Sequence, residues 1–338
     1  SSLTAAQVKE SLLAAGLWPA ITQRPYGIIA DPETTPKAIF VSAFSTAPLA
    51  ANVEYALNGQ LDNIQAAVDA LGKIAKVHVC VNAANESATL FGKLQNVTLH
   101  TVSGKHPAGN VGVQIHHIAP IQKGEIVWTV SPVMLAAIGK LFTTGKYDVK
   151  RKIAVTGPKA VNPAYVEGYP GISIKDLKEY YNEGENLRFV SGDVLSGTNV
   201  GAEGFLGFFD NQVTILEEGN KYELLGWAKP VRCSQFSASR TYFSWLTPNK
   251  KYDMDTNLHG GPRAFVLNNI YSDVLPMDIF PVHLLKACLA GDIDNMEKFG
   301  IYEVVEEDLA LCEYVDPSKI YIQQIITDGI ALMLKEMC

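Results

Sequence analysis

Residues 38–82 read AIFVSAFSTAPLAANVEYALNGQLDNIQAAVDALGKIAKVHVCVN, and this stretch decides the fold of the first part of the chain. AIFVSAF at 38–44 and KVHVCVN at 76–82 are apolar runs of strand length, as strands buried in a parallel sheet tend to be. Between them, apolar residues recur at the i, i+3, i+4 and i+7 spacing of one helical face: Ile64, Ala67, Val68 and Leu71. A strand, a helix and a strand in this order predict a parallel sheet with a right-handed crossover.

The flanking sequence extends this pattern in both directions. LTAAQVKESLLAAG at 3–16 predicts a helix in which Thr4 and Gln7 form a capping box. VTLHTV at 97–102 predicts a third strand, and Ser131 followed by proline opens a further helix that Gly145 ends. Residues 1–150 are therefore expected to form one α/β domain around a parallel sheet.

The second half of the chain changes to shorter elements. KIAVTG, YVEGYPGISI, a short helix near Ser173 and strands around LRFVSGDVLSGT predict a small mixed unit of the β-grasp kind over residues 151–200. Residues 201–258 predict β-hairpins, and the clearest is NQVTILEEGNKYELLGWAKP, with Glu218-Gly219-Asn220 as its turn. Residues 259–338 predict a helical region whose last helix carries one broad apolar face: Ile320, Ile322, Ile325, Ile326 and Ile330.

Composition excludes several classes of function. The 338 residues include 28 Lys and Arg against 35 Asp and Glu, which gives a net charge of −7, and no basic run could neutralise a line of phosphates. We therefore expect no nucleic-acid partner. The longest uncharged apolar stretch, 126–139, contains Pro132 and is shorter than the ~20 residues of a spanning helix. Five scattered cysteines without a Cys-x-x-Cys pair are typical of a reducing compartment.

The most distinctive motif is SGKHPAGNVGVQIHH at 103–117, directly after the third predicted strand. Its glycines could bring backbone N–H groups close to an anion, with two side chains as further donors; the alternative interpretation is a tight turn that faces solvent. The candidate residues for a quinone or a subunit contact are Gly104, Lys105, His106, Gly109, Gly112 and His116. On a strand, His116 and His117 would point to opposite faces, so we expect no metal site.

No standard nucleotide-binding or hydrolase fingerprint occurs in the sequence, and we assign no catalytic residue. Cys312 lies in LCEYVDPSK, whose Cys-x-x-x-Asp-Pro frame has the spacing of the last two ligands of a ferredoxin-type cluster, with Asp316 in place of the final cysteine. The first two ligand positions hold Glu306 and Leu309, so thiolates cannot hold a cluster there. We expect Cys312 to be a small buried hydrophobe, and Glu306 with Glu307 to be a solvated helix start.

Three long motifs resemble signature segments of one family. SGKHPAGNVGVQIHHIAP, AIFVSAFSTAPLAA and LALCEYVDP are similar to segments of the NqrA family, the A subunits of the sodium-translocating NADH:quinone reductases (Na+-NQR), and more distantly to complexes of the Rnf type. The resemblance covers essentially the whole chain, although the family carries an N-terminal segment that this sequence lacks. It implies an α/β multidomain protein related to the flavin-binding subunit of respiratory complex I. The implied parts are a Rossmann-like domain over 1–150, a β-grasp (SLBB) domain over 151–200, the hairpin segment over 201–258 and the helical C-terminal region over 259–338.

The same relationship implies that redox sites have been lost. Where the complex I subunit has a glycine-rich flavin loop, this chain reads LWPAITQRPYGIIAD, with Gly27 as its only glycine. Where that relative has an acidic nicotinamide-site turn, SAFSTAPLA has no carboxylate between Ser42 and Ala50. We therefore expect no cofactor to be bound by this chain; NADH, flavins, an iron–sulfur cluster and quinone would belong to other subunits.

The resemblance further implies a peripheral protein at the cytoplasmic face of the bacterial inner membrane. Its complex would be a translocase that couples NADH oxidation and ubiquinone reduction to sodium transport. Its partners would be the other subunits, especially one embedded in the membrane, and quinone. The isolated chain is expected not to be catalytic.

Two alternatives use the same residues differently. A free-standing nucleotide-dependent oxidoreductase would use the parallel sheet and the loop from Gly104 to Gly112, but neither G-x-G-x-x-G nor a carboxylate placed for a ribose is present. A soluble small-ligand-binding module would use residues 151–200, and this alternative predicts tight binding by that segment alone.

Overall fold

The structure is a computed structural model that describes residues 3–84, 89–184, 186–221, 223, 225, 226, 232, 235–237 and 240–337. These residues form an α/β unit, a second sheet and a helical region. The α/β unit contains, in chain order, α1 (Ala5–Ala14), β1 (Ile21–Arg24), β2 (Ile28–Ile29), β3 (Ile39–Ser42), α2 (Val53–Ala56), α3 (Leu61–Leu71), β4 (Val77–Asn82), β5 (Thr98–Val102), α4 (Val111–Ile118), β6 (Val127–Val130) and α5 (Pro132–Thr144).

The sheet of the α/β unit has the strand order β2-β1-β6-β3-β4-β5. Strands β3 to β6 run parallel, as the sequence predicts for β3, β4 and β5, while β1 is antiparallel to both β6 and β2. Local sequence patterns do not indicate β1, β2 or β6. Their addition places β1 and the turn after it at one edge of the sheet, where they meet the C-terminal region.

Local sequence signals explain why the predicted helices form. Thr4 and Gln7 make the predicted capping box of α1, and the four predicted apolar residues of α3 are all buried. The Ser131 hydroxyl accepts from the backbone N–H of Met134 at the start of α5, and Gly145 ends that helix at a φ of 71°. The indole N–H of Trp18 donates to the Ala30 carbonyl at 2.7 Å, and its ring packs on that of Trp128.

The strand expected for His116 and His117 is wrong, because both residues lie on α4. Apolar residues at 111, 113 and 115 alternate as on a strand, but Gly112 and Gln114 between them are also buried. Residues 112–115 are all buried, so this part of the chain forms a helix without a helical apolar stripe. Within the described ranges, no group of three or more His, Cys, Asp or Glu side chains is arranged to hold a metal ion.

The second sheet contains β7 (Arg151–Thr156), β8 (Ala164–Gly168), β9 (Leu187–Ser191), β10 (Thr198–Asn199) and β11 (Gln212–Glu217), in the order β10-β9-β11-β7-β8. The predicted short helix is a 3-10 helix, Ile174–Tyr180, capped by Ser173. The first arm of the predicted hairpin is β11, which pairs with β7 and β9 and so belongs to this sheet. Much of the second arm, including residues 222, 224 and 227–230, lies outside the described residues.

The C-terminal region contains α6 (Pro281–Ala290), α7 (Ile293–Phe299), α8 (Ala310–Val315) and α9 (Ile322–Met337). Of the predicted apolar face, Ile322, Ile326 and Ile330 are buried in the core of this region, and Ile320 and Ile325 pack against it. In the part of the chain that is described, no helix is both long and apolar enough to cross a bilayer.

Candidate functional site

The glycine-rich loop lies at the carboxyl end of the parallel strands. It follows β5 and runs into α4, and it packs against the segment that follows β3. The Ser42 hydroxyl, at the end of β3, donates to the Gly109 carbonyl at 2.8 Å. Ligands of open α/β sheets usually bind at this end, so the position is the one that the sequence predicts for a site.

Two of the loop glycines are required by close packing. The N–H of Gly109 donates to Thr46 Oγ1 at 2.9 Å, and a Cβ atom on Gly109 would lie 2.6 Å from the Thr46 backbone nitrogen. A Cβ atom on Gly112 would overlap the Asp308 carboxylate and lie 2.7 Å from Arg24 Nη1. These glycines therefore bring the loop against other parts of the protein, and their surfaces are not open to an anion.

The outer part of the loop is more accessible. Gly104 and Lys105 are exposed, and His106 is half-buried. His106 Nδ1 lies 3.2 Å from Thr46 Oγ1, whereas its Nε2 is buried and has no hydrogen-bond partner among the described residues. Burial lowers the pKa of His106, against the raising effect of Asp193 and Asp308. Lys105 and His106 thus form the rim of the loop.

The two histidines of α4 are both used inside the chain. His116 Nδ1 lies 2.7 Å from Glu303 Oε2, and its Nε2 accepts the backbone N–H of Asp278 at 2.9 Å. Because Nε2 accepts, Nδ1 carries the hydrogen that is donated to Glu303. His117 Nε2 donates to the Pro276 carbonyl at 2.9 Å. The sequence names His116 as a candidate donor to quinone, but both of its ring nitrogens already join α4 to the C-terminal region.

Beneath the loop lies a buried ion cluster formed by Arg24, Glu307 and Asp308. Arg24 Nη1 lies 2.5 Å from Asp308 Oδ2, and Arg24 Nη2 lies 2.6 Å from Glu307 Oε1. The Arg24 side chain is 4% exposed and that of Asp308 is fully buried, while Glu307 is 42% exposed. Burial alone would lower the pKa of Arg24, but the two carboxylates outweigh it and raise the pKa.

This cluster corrects the expectation for the acidic pair. Glu306 is exposed, as a solvated helix start requires, but Glu307 pairs with Arg24, and its backbone carbonyl accepts from Asn110 Nδ2 at 3.0 Å. Arg24 and Asp308 were also not predicted from the sequence. The only available signal was an arginine at the end of an apolar segment, and its partners lie more than 280 residues away.

The remaining positions singled out in the sequence pack inside the protein. Gly27 lies in the turn between β1 and β2, where a Cβ atom would be 3.0 Å from Val305 Cγ1. Cys312 is 1% exposed, and burial raises the pKa of its thiol to about 12, which agrees with the predicted buried hydrophobe. Asp316, also buried, accepts the Tyr271 hydroxyl at 2.8 Å and the Ile320 N–H at 3.1 Å.

The second sheet also reaches the ion cluster. Asp193, in the turn between β9 and β10, acts electrostatically on both His106 and Glu307. In the same turn, the Leu195 carbonyl accepts from Gln323 Nε2 of α9 at 3.0 Å. The turn between β9 and β10 is therefore close enough to act on both the loop and the ion cluster, and it also contacts α9 of the C-terminal region.

Comparison with known proteins bears on which family this architecture represents. Two family models match: one described as the NqrA second alpha/beta domain over residues 3–147, and one described as the NQRA C-terminal domain, of the SLBB type, over residues 152–202. A chain in the solved structure of the NAD+-reducing [NiFe]-hydrogenase in the air-oxidized state matches with a TM-score of 0.46 and 11% identity, over 98% of this chain and 61% of that one. A likeness at that level does not decide the fold.

Curated relatives match over almost the full length of the chain. It is 40% identical over 336 residues to the A subunit of the Na(+)-translocating NADH-quinone reductase of Serratia proteamaculans, which covers 98% of this chain and 74% of the relative. Identity to the protein of the same name from Pseudomonas aeruginosa strain PAO1 is 37% over 338 residues, covering 99% and 75%. The chain therefore belongs to the NqrA family, the A subunits of Na+-translocating NADH-quinone reductases.

Proposed function

We propose that this chain is a peripheral component, on the cytoplasmic side, of a membrane complex that couples NADH oxidation and ubiquinone reduction to sodium translocation. Its own role is structural, and it holds no cofactor. Membership of the NqrA family supports the assignment of this chain to the reductase complex. The internal use of the glycine-rich loop is the observation that carries the structural role, because Gly109, Gly112 and His116 all join parts of this chain.

The rim of the loop is the part we assign to contact with a neighbouring protein of the complex. Lys105 is exposed, so its ammonium group can donate to a neighbouring protein, and the half-buried His106 lies next to it. A quinone would need such donors together with an apolar groove for its tail. Two surface cavities, one beside α5 and one between residues 121–123 and 278–303, are not lined by Lys105 or His106. A contact between subunits needs no such groove, so we put it first, with access of quinone as the second candidate.

Replacement of the rim residues in the intact complex tests this proposal. Lys105→Ala with His106→Ala should reduce the amount of this chain that co-purifies with the complex, and it should leave the circular dichroism of the isolated chain unchanged. Lys175→Ala is a matched control, because Lys175 is an exposed cation paired with the exposed Glu203. A raised KM for quinone with normal assembly would favour the second candidate. If both assembly and quinone kinetics stay at wild-type values, the proposal is contradicted, and the loop is only a turn that faces solvent.

A further inference from the structure

A cavity of about 210 Å³ lies at the junction of the α/β unit and the second sheet. One wall is the outer face of α5, a second is the stretch from Ala56 to Gln60, and the third is residues 148–152 with Glu167 of β8. The carboxyl ends of the parallel strands and the ion cluster do not line it. The cavity is therefore separate from the glycine-rich loop.

One side of this cavity is apolar. Val133, Met134, Ala136 and Ala137 of α5 and Leu57 contribute to it, and all five side chains are largely buried. Residues 136 and 137 are alanines, and larger side chains at these positions would fill part of the cavity. A compact hydrocarbon surface placed here would be removed from water, which is favourable at about 25 cal/mol per Å².

The other side of the cavity is cationic. Four cations line it, Lys140, Lys150, Arg151 and Lys152, against two carboxylates, Asp148 and Glu167. The local charge is therefore 4 − 2 = +2, although the whole chain carries −7. Lys140 pairs with Asp148 at 2.5 Å and Lys150 with Glu167 at 2.6 Å. Both carboxylates are thus already paired with a cation.

The other two cations have no ion pair with a carboxylate in the described ranges. Lys152 Nζ donates to the Tyr55 carbonyl at 3.2 Å and lies 4.8 Å from the centre of the Tyr55 ring. Arg151 is 8% exposed, and its Nη groups donate to the carbonyls of Phe208 and Asp210 at 2.8 and 3.3 Å. Its Nε is buried without an acceptor among the described residues.

The buried guanidinium of Arg151 loses solvation, and its pKa reflects that loss. Burial lowers the pKa of its guanidinium to about 10, and the nearby Asp210 offsets only part of that effect. A buried cation that is not paired with an anion is destabilising, so a negative charge near this part of β7 is favoured.

We propose that this cavity binds a small organic anion, a molecule with one negatively charged group and a compact apolar body. The charged group meets the edge formed by residues 150–152, and the body lies against α5. A volume of 210 Å³ equals about seven times the share of one water molecule in the liquid, so a single ring or a short chain fits.

Benzoate is a suitable probe, since it has one carboxylate on one ring, and its binding to the 338-residue chain can be measured by calorimetric titration. Saturable binding is expected, and neutral benzamide and inorganic phosphate should each bind at least about tenfold more weakly. Lys152→Gln removes one cation, and Ala137→Leu fills the apolar side. Each should weaken benzoate binding about tenfold, which is about 1.4 kcal/mol.

Lys175→Gln serves as the control, because it removes an exposed lysine that does not line the cavity. It should bind benzoate as the wild type does. Thermal melting shows whether each variant is folded. If Ala137→Leu is unstable, benzoate binding by Lys152→Gln is compared with that of the wild type to test the proposal. The proposal is overturned if benzoate does not bind saturably, if benzamide or phosphate binds equally well, or if Lys152→Gln binds like the wild type.

Discussion

Replacement of Arg24 by methionine tests how the α/β unit is held to the C-terminal region. The substitution keeps most of the side-chain volume but leaves the fully buried Asp308 without its cation. Removing one partner of a buried ion pair costs about 3–5 kcal/mol, since the remaining charge is desolvated and unpaired. The Glu307 partner contributes little to this figure, because its side chain is 42% exposed and screened by water.

Amide hydrogen exchange in the native state provides a local assay for that cost. The N–H of Val305 bonds to Asp308 Oδ2 at 3.1 Å, so it reports on the ion cluster directly. A cost of about 3–5 kcal/mol corresponds to a loss of protection of roughly a hundredfold to several thousandfold, at about 1.36 kcal/mol for each factor of ten. Arg24→Met combined with Asp308→Leu removes the stranded charge but also the acceptor of the Val305 N–H, so this variant is compared by urea titration, where it should be destabilised less than Arg24→Met alone.

Lys123→Met is the matched control for a charge lost from an exposed pair. Lys123 Nζ lies 2.7 Å from Glu297 Oε1, and the lysine side chain is 62% exposed. Such pairs contribute about 0–1 kcal/mol, so this variant should exchange almost as the wild type does. If Arg24→Met changes the protection of Val305 no more than Lys123→Met does, the ion cluster does not hold the two parts together.

The remaining predictions concern packing, pH and cofactors. Gly112→Ala should destabilise the protein by about 1–3 kcal/mol in a urea titration, because its Cβ overlaps the Asp308 carboxylate, whereas Gly261→Ala, whose Cβ meets no atom within 4 Å, should cost less. Burial and the neighbouring His100 lower the pKa of His78 to about 4. Since unfolded His78 protonates near 6.5, stability should fall by about 2 kcal/mol from about pH 7 to pH 5, and His78→Phe should lessen that fall. The purified chain should show no flavin absorbance, contain no iron and not oxidise NADH.

The sequence predicts those elements whose signal is local. The capping box at Thr4, the apolar face of α3 and the Ser131 start of α5 each depend on residues within one or two turns of each other, and the structure confirms all three. The parallel pairing of β3, β4 and β5 follows from the order of apolar runs. These predictions need no knowledge of distant contacts.

The elements that were missed depend on distant contacts. β1 pairs with β6 through partners such as Ile21 and Val130, which are more than 100 residues apart, and neither strand exceeds four residues. In place of the strand expected for His116 and His117 the chain forms helix α4, whose burial comes from the sheet on one side and the C-terminal region on the other. The ion cluster joins Arg24 to residues near the other end of the chain, so local sequence contains no sign of it.

Purification of the tagged chain from membranes of cells that make the whole complex tests the central proposal most directly. After mild detergent solubilisation, we predict that the chain co-purifies in equal amounts with the other subunits of the reductase, and that the preparation reduces ubiquinone with NADH in a sodium-dependent manner. Flavin and iron should then remain with the other subunits when this chain is dissociated. Recovery of the chain alone, carrying bound flavin and oxidising NADH by itself, would contradict the proposal.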